Sequence, residues 1–229
     1  MKRFWKDVAT IAVEGGHDIH LDARPVRTPG RAPLTLPNLA LAQAVADEWR
    51  AVDKDVDPRA MPLTGLSNAA IDRIAPDPAS FAIGLAQYAE SDLLCYRADH
   101  PLELQLRQQA SWDPLLDWVR SRYDAPLLAT TGIIHRAQPP ASLAALSETV
   151  AACTPFQLAA LSPLVTVTGS LVAALALLER AATPDDIWSA ANLDEDWQAE
   201  HWGEDELARQ ARATRRADFD AGVRLLSLL

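Results

Sequence analysis

Leu34-Thr35-Leu36-Pro37-Asn38-Leu39-Ala40-Leu41-Ala42-Gln43-Ala44-Val45 is the stretch where the chain changes periodicity, and with it fold class. Up to Pro37 the signals are those of short β-strands. Val8 to Val13 alternates, Glu14-Gly15-Gly16 supplies a turn, and His17 to Leu21 returns as a hairpin partner. Asp22-Ala23 then turns into Arg24-Pro25-Val26-Arg27-Thr28, and Leu34-Thr35-Leu36 is a further short strand. Pro25 marks an edge, because it has no N–H to give to a ladder. These pieces form a small antiparallel meander with one face that another element must cover.

Beyond Pro37 the period becomes helical. Asn38 is placed as an N-cap, with Ala42, Val45, Trp49 and Val52 on one helical face. Met61-Pro62-Leu63-Thr64 introduces a second helix, with Thr64 as its cap and Leu66, Ala70 and Ile74 as contacts. Asp77-Pro78 opens a third, carrying Phe81, Leu85 and Tyr88, since proline suits the first helical turn. Pro101 to Tyr123 is helical, kinked or restarted at Asp113-Pro114. Leu127 to Ile134 is a candidate stray strand, and helices follow over 141–152, 155–180 and 184–201. Thr183-Pro184-Asp185-Asp186 combines a cap, a first-turn proline and acids at the positive end of the dipole. Gly203 ends that helix, and a last one runs from Asp205 to Leu228. The expected fold is α+β: a small antiparallel β domain over 1–37, then a larger all-α domain over 38–229.

At 229 residues and 49% hydrophobic, the chain can bury a full core. Its 21 Lys and Arg against 31 Asp and Glu give a formal charge of −10. That balance argues against a nucleic-acid partner, which needs clustered positive charge, and against anionic lipid surfaces. Thr149 to Leu178 carries no charged residue, yet Ser162-Pro163, Gln157, Thr166, Thr168, Gly169 and Ser170 fit a buried helix pair broken at Ser162-Pro163 better than a membrane insertion. Cys95 and Cys153 are far apart and in no metal spacing, so they read as reduced, buried small hydrophobes. The start of the chain has neither an apolar h-region nor a long Arg/Ser-rich presequence. The expected compartment is the bacterial cytoplasm, or the mitochondrial matrix for a processed eukaryotic homologue.

Motifs that carry chemistry are few. Neither phosphate-cradling glycine pattern is present, and Thr168-Gly169-Ser170-Leu171-Val172 lacks the second glycine of a nucleophile elbow. His17 and His20 fall on opposite faces of a strand, and the acids from 194 to 206 do not follow a calcium loop. No catalytic residue, metal or cofactor is therefore expected. Tryptophan use is the unusual feature: seven, against four Phe and three Tyr. Trp is favoured where part of the ring stays available to a partner. Trp188, Ala191, Glu195, Gln198 and Trp202 follow i, i+3, i+7, i+10, i+14, one helical face with a carboxylate inside it. Glu195 either meets a cation within the chain, Arg73 or Arg97 for example, or waits for one on a partner.

Arg3-Phe4-Trp5-Lys6 leads an ordered set: Leu21-Asp22-x-Arg24-Pro25-Val26-x-Thr28-Pro29, Leu36-Pro37, Glu48-Trp49, Met61-Pro62-Leu63-Thr64-x-Leu66 and Asn68-x-x-Ile71-Asp72-Arg73. Asp92-Leu93-Leu94-Cys95-Tyr96-Arg97, Gln109, Trp112-Asp113-Pro114, Gly169-Ser170 and Leu193-Asp194-Glu195-x-x-Gln198-x-x-x-Trp202-Gly203 complete it. In this order the chain resembles the assembly chaperones for the alpha subunit of ATP synthase, over nearly its whole length. The resemblance implies a small β domain beside a helical one. It also implies a partner, the unassembled alpha subunit, whose subunit interface would be covered until the beta subunit arrives. It gives the Glu195 position importance, with Gln198 and Trp202 shaping the site and Asp194, Trp49, Asn68, Asp72 and Arg73 as further partner-binding candidates. The free protein is expected to be a monomer. Three positions depart from the family's pattern. Val52 stands for a usual glutamine, Ala23 for a glycine, and Leu193-Asp194-Glu195 for Leu-Glu-Glu. Two other classes remain open: a small-molecule enzyme using Glu195 as general base, and a scaffold for a different protein client.

Overall fold

The structure is a computed structural model and describes residues 2–229. An antiparallel sheet at the start is followed by a mostly helical chain, an α+β fold. The chain forms two compact units. The first takes residues up to Pro78 together with Thr154–Ala160 and Asp220–Leu229, and the second takes Ala79–Cys153 and Leu161–Phe219.

In the first unit, β1 (Val8–Val13) and β2 (Gly16–Leu21) form a hairpin in the register Val8↔Leu21 to Val13↔Gly16. On its far side β2 pairs with β3 (Arg24–Pro25) and β4 (Thr35–Leu36). Asp22 takes the turn after β2 at φ 54, and its carboxylate accepts from the N–H groups of Lys6 and Asp7, both at 3.0 Å. The left-handed residue of this turn is Asp22, a type that tolerates that geometry, and not Ala23, so no glycine is needed at position 23. The buried face of the sheet, with Ile19, Leu21 and Leu36, is covered by α1 (Leu39–Ala51). Asn38 caps α1, accepting from Leu41 N–H at 2.9 Å. At its other end the Arg3 guanidinium donates to the carbonyls of Arg50, Val52 and Trp5. A cation on the last free carbonyls of a helix suits both their hydrogen bonds and the dipole. Trp5 and Trp49 meet edge to face at 5.3 Å beneath it.

Helix α2 (Pro62–Ala69) starts three residues earlier than a Thr64 cap allows. The cap comes instead from α1. The buried Glu48 carboxylate accepts from Leu63 N–H and Thr64 N–H at 2.8 Å and from the Thr64 hydroxyl at 2.7 Å. Thr64 is thus a recipient of capping, and the carboxylate sits at the positive end of the helix. A π-type turn, Ala70–Ile74, continues α2.

The second unit contains α3 (Pro78–Ala86) apart from its first residue, a pair of two-residue parallel strands, β5 (Tyr96–Arg97) and β6 (Thr130–Thr131), and α4 (Leu102–Tyr123). Helix α4 runs through Pro114 without restarting. Of the stretch from Leu127 to Ile134, only Thr130–Thr131 is strand, and Ile133 and Ile134 stand in solvent. Then come α5 (Pro140–Ala151), α6 (Pro155–Thr168), α7 (Leu171–Leu178), α8 (Pro184–Ala191), α9 (Leu193–Trp202) and α10 (Glu206–Ser227), of which α6 and α10 contribute to both units. The helix pair does not break at Ser162-Pro163. Pro163 lies inside α6, and the break is at Gly169, φ 65, followed by Ser170, whose hydroxyl caps α7 by accepting from Ala173 N–H at 3.0 Å. A proline forfeits one hydrogen bond of a helix, whereas a left-handed residue ends it. No helix is long and apolar enough to cross a membrane among the described residues. Residues 171–177 are buried on every side, as an all-apolar core helix must be.

Candidate partner-binding site

Helix α9 is positioned by a break. A single helix over 184–201 would align Trp188 with Trp202, but Asn192 (φ −104, ψ 10) interrupts it, and its buried amide donates to Trp188 O at 2.8 Å. The stripe is therefore divided. Trp188 turns inward, against Phe219 at 5.4 Å. Within α9, Trp197 is 5% exposed and anchors the helix, while Glu195, Gln198 and Trp202 share the opposite face. Their i, i+3, i+7 spacing gives one solvent-facing line of carboxylate, amide and indole. Trp202 is 77% exposed. An indole and a carboxylate thus stand together on an open face.

The acids of the first turn of α9 point in three directions. Asp194 accepts from the Gln108 amide of α4 at 2.7 Å, and Gln108 in turn accepts from Ala98 N–H at 2.8 Å. Asp196 pairs with Arg212 of α10, which raises the pKa of that guanidinium further. Glu195 pairs with Arg215 of α10 at 2.5 Å, with side chains 52% and 38% exposed, and not with Arg73 or Arg97. From the other side Arg107 of α4 lies over the Trp197 ring at 4.7 Å and bonds Glu200 at 2.7 Å. Helix α9 is held between α4 and α10 by charge and aromatic contacts, and both neighbours also display apolar side chains: Leu102 and Leu106 on α4, Leu207 on α10.

The remaining candidates belong to the first unit and are engaged differently. Trp49 is buried on Trp5. Asp72 accepts from the Thr28 hydroxyl at 2.6 Å and Gly30 N–H at 2.7 Å, which pins the loop after β3. A Cβ on Gly30 would meet that carboxylate at 2.6 Å, so the clamp requires glycine there. Asn68 is half-buried and Arg73 exposed.

Two further motifs meet across 77 residues. Asp92, fully buried, accepts from Leu94 N–H at 3.1 Å and from Val172 N–H at 3.0 Å in the first turn of α7, and Leu93 N–H donates to Gly169 O at 3.0 Å. Burial pushes the Asp92 carboxyl up to about 6, against the pull of those hydrogen bonds. Arg97 bonds Asp113 at 2.7 Å and lies over Trp112 at 5.0 Å, while the Trp112 indole donates to Ala190 O at 2.8 Å. These residues build a framework that sequence spacing could not show, because, apart from the local Asp92–Leu94 bond, its bonds join separate segments. Among the described residues, no group of three His, Cys, Asp or Glu is placed to hold a metal ion.

Known proteins share this sequence pattern and this fold. A model of the ATP12 chaperone protein family matches residues 2–120. A mitochondrial atp12 protein of Schizosaccharomyces pombe is 25% identical over 221 residues, covering 91% of this chain and 76% of its own. The crystal structure of Atp12 from Paracoccus denitrificans has a TM-score of 0.95 at 44% identity, over 99% of this chain and 97% of that one. A protein of Agrobacterium tumefaciens gives 0.94 at 44% identity, over 99% and 85%.

Proposed function

The chain belongs to the ATP12 chaperone protein family, and from that membership we propose that it serves ATP synthase assembly by binding the unassembled alpha subunit. It acts in the bacterial cytoplasm or, for a processed homologue, the mitochondrial matrix, and carries out no catalysis. The observation that carries this reading is the open face of α9, where Glu195, Gln198 and the 77% exposed Trp202 stand in line. An unassembled subunit exposes an interface that is apolar and carries charge, and such a surface aggregates unless it is covered. A tryptophan anchor beside a carboxylate suits that chemistry: the indole supplies buried area, and the carboxylate selects a lysine or arginine. A general base, by contrast, needs a secluded pocket, and Glu195 stands half-exposed against a guanidinium.

Asp194 supports this face from behind by fixing α9 to Gln108. Asn68, Asp72 and Arg73 are proposed as contributions of the first unit, Arg73 through its exposed guanidinium and Asp72 through the loop it pins, whereas Trp49, buried on Trp5, has no face open to a partner. The tagged chain, incubated with separately expressed alpha and beta subunits, is expected to retain alpha and not beta. Glu195→Lys should weaken that retention about tenfold or more, with an unchanged circular dichroism spectrum. Retention of neither subunit by the wild-type chain would overturn the reading, and undiminished retention by Glu195→Lys would remove α9 from it.

A further inference from the structure

Asp194, Glu195 and Asp196 are consecutive, yet their pairings differ in kind. Those of Asp194 and Asp196 lie partly inside the unit: Gln108 is buried, and the Arg212 side chain is 25% exposed. The Glu195–Arg215 pair is the outer one, on the face that also carries Gln198 and Trp202. Arg212 and Arg215 are three residues apart on α10 and so point the same way. Removing the outer pair leaves Arg212–Asp196 and Arg107–Glu200 to hold α9 in place.

From this geometry we infer that Arg215 is a placeholder: its guanidinium occupies Glu195 in the free protein and is exchanged for a cation of the client on binding. This rests on the reading of α9 as the client-binding face. An exposed pair of this kind contributes little to folding, so it can open at small cost. The exchange keeps Glu195 paired at both ends of the cycle, since the internal pair re-forms as the client's cation departs. A carboxylate left without Arg215 would hold its client more strongly, because the client's cation would have no internal partner to displace, a gain of up to about fivefold, or about 1 kcal/mol. Arg215 is in this sense a positioning residue that tempers affinity and assists release.

The test compares binding of purified alpha subunit by the wild-type chain, Arg215→Gln, Glu195→Lys and the swapped double variant Glu195→Arg with Arg215→Glu, each checked for melting temperature. Arg215→Gln is expected to bind about five times more tightly than wild type, mainly through slower dissociation, with little change in melting temperature. The swapped variant restores an internal pair and should melt like wild type, yet it presents the client with the wrong charge and should lose binding about tenfold. Equal or weaker binding by Arg215→Gln, with Glu195→Lys still defective, would overturn the placeholder and leave the α9 reading intact. Unimpaired binding by both Glu195→Lys and the swapped variant would overturn the α9 reading, and the placeholder with it.

Discussion

Glu48→Ala is expected to destabilise the protein by about 4 kcal/mol, lowering its melting temperature by roughly 10 °C. Three bonds converge on this carboxylate: two from the N–H groups that open α2 and one from the Thr64 hydroxyl. Alanine leaves both N–H groups buried without an acceptor, since Leu63 and Thr64 are themselves buried. Each orphaned donor costs on the order of 1–3 kcal/mol, and bonds to a charged acceptor lie toward the upper end. Loss of the charge from the helix N-terminus adds a few tenths of a kcal/mol. Glu48→Gln keeps one carbonyl acceptor and should lose about half as much. Thermal unfolding followed by tryptophan fluorescence measures both. An alanine variant melting within a degree of wild type would show that α2 does not depend on this cap.

The second large effect is a dependence on pH. Burial raises the Asp92 carboxyl from an ordinary 3.8 to about 6, so the folded chain takes up this proton more readily than the unfolded one. Its contribution to stability is complete below about 3.8 and is lost as pH rises through about 6. The shift corresponds to roughly 3 kcal/mol. Other carboxylates titrate in the same range, so the quantity to measure is the difference in urea-unfolding free energy between wild type and Asp92→Asn, from about pH 4 to about pH 8. That difference should move in favour of the wild type by about 2 kcal/mol on going from about pH 8 to about pH 4, because asparagine does not titrate. Parallel curves would mean that Asp92 keeps its ordinary acidity despite its burial.

What the sequence reveals of this fold follows the range of the signals. Asn38 and Thr183 cap their helices as expected, because a cap is decided within three residues. The β1–β2 hairpin is equally local, closed by Glu14-Gly15. Expectations that depend on distant partners fare differently. Thr64 looks like a cap until Glu48, 16 residues earlier, takes that role. Ser162-Pro163 looks like a break, yet the left-handed Gly169, joined to Leu93 from another segment, is the break. Asn192 carries no sequence signal strong enough to divide a helix, and its buried bond to Trp188 O explains the division afterwards.

The same limit applies to the candidate site. The spacing of Glu195, Gln198 and Trp202 puts them on one helical face whatever the surroundings, so their alignment was legible. Which way that face points was not, because Trp197 and the contacts of Arg107 and Arg212 decide it. Arg215 could not have been chosen as the partner of Glu195 from one sequence, since the residues lie on separate helices. Several motif residues that carry the family resemblance, Asp92, Arg97, Trp112 and Gly169 among them, prove to be bonded to one another or to the backbone.

Amide hydrogen exchange of the chain, alone and saturated with purified alpha subunit, tests the central claim most directly. The α9 face predicts slowed exchange over about residues 193–204 on binding, with a smaller effect over 102–108 and 207–216 on the helices that flank α9. Slowed exchange elsewhere, with residues 193–204 unchanged in a complex that does form, would contradict it.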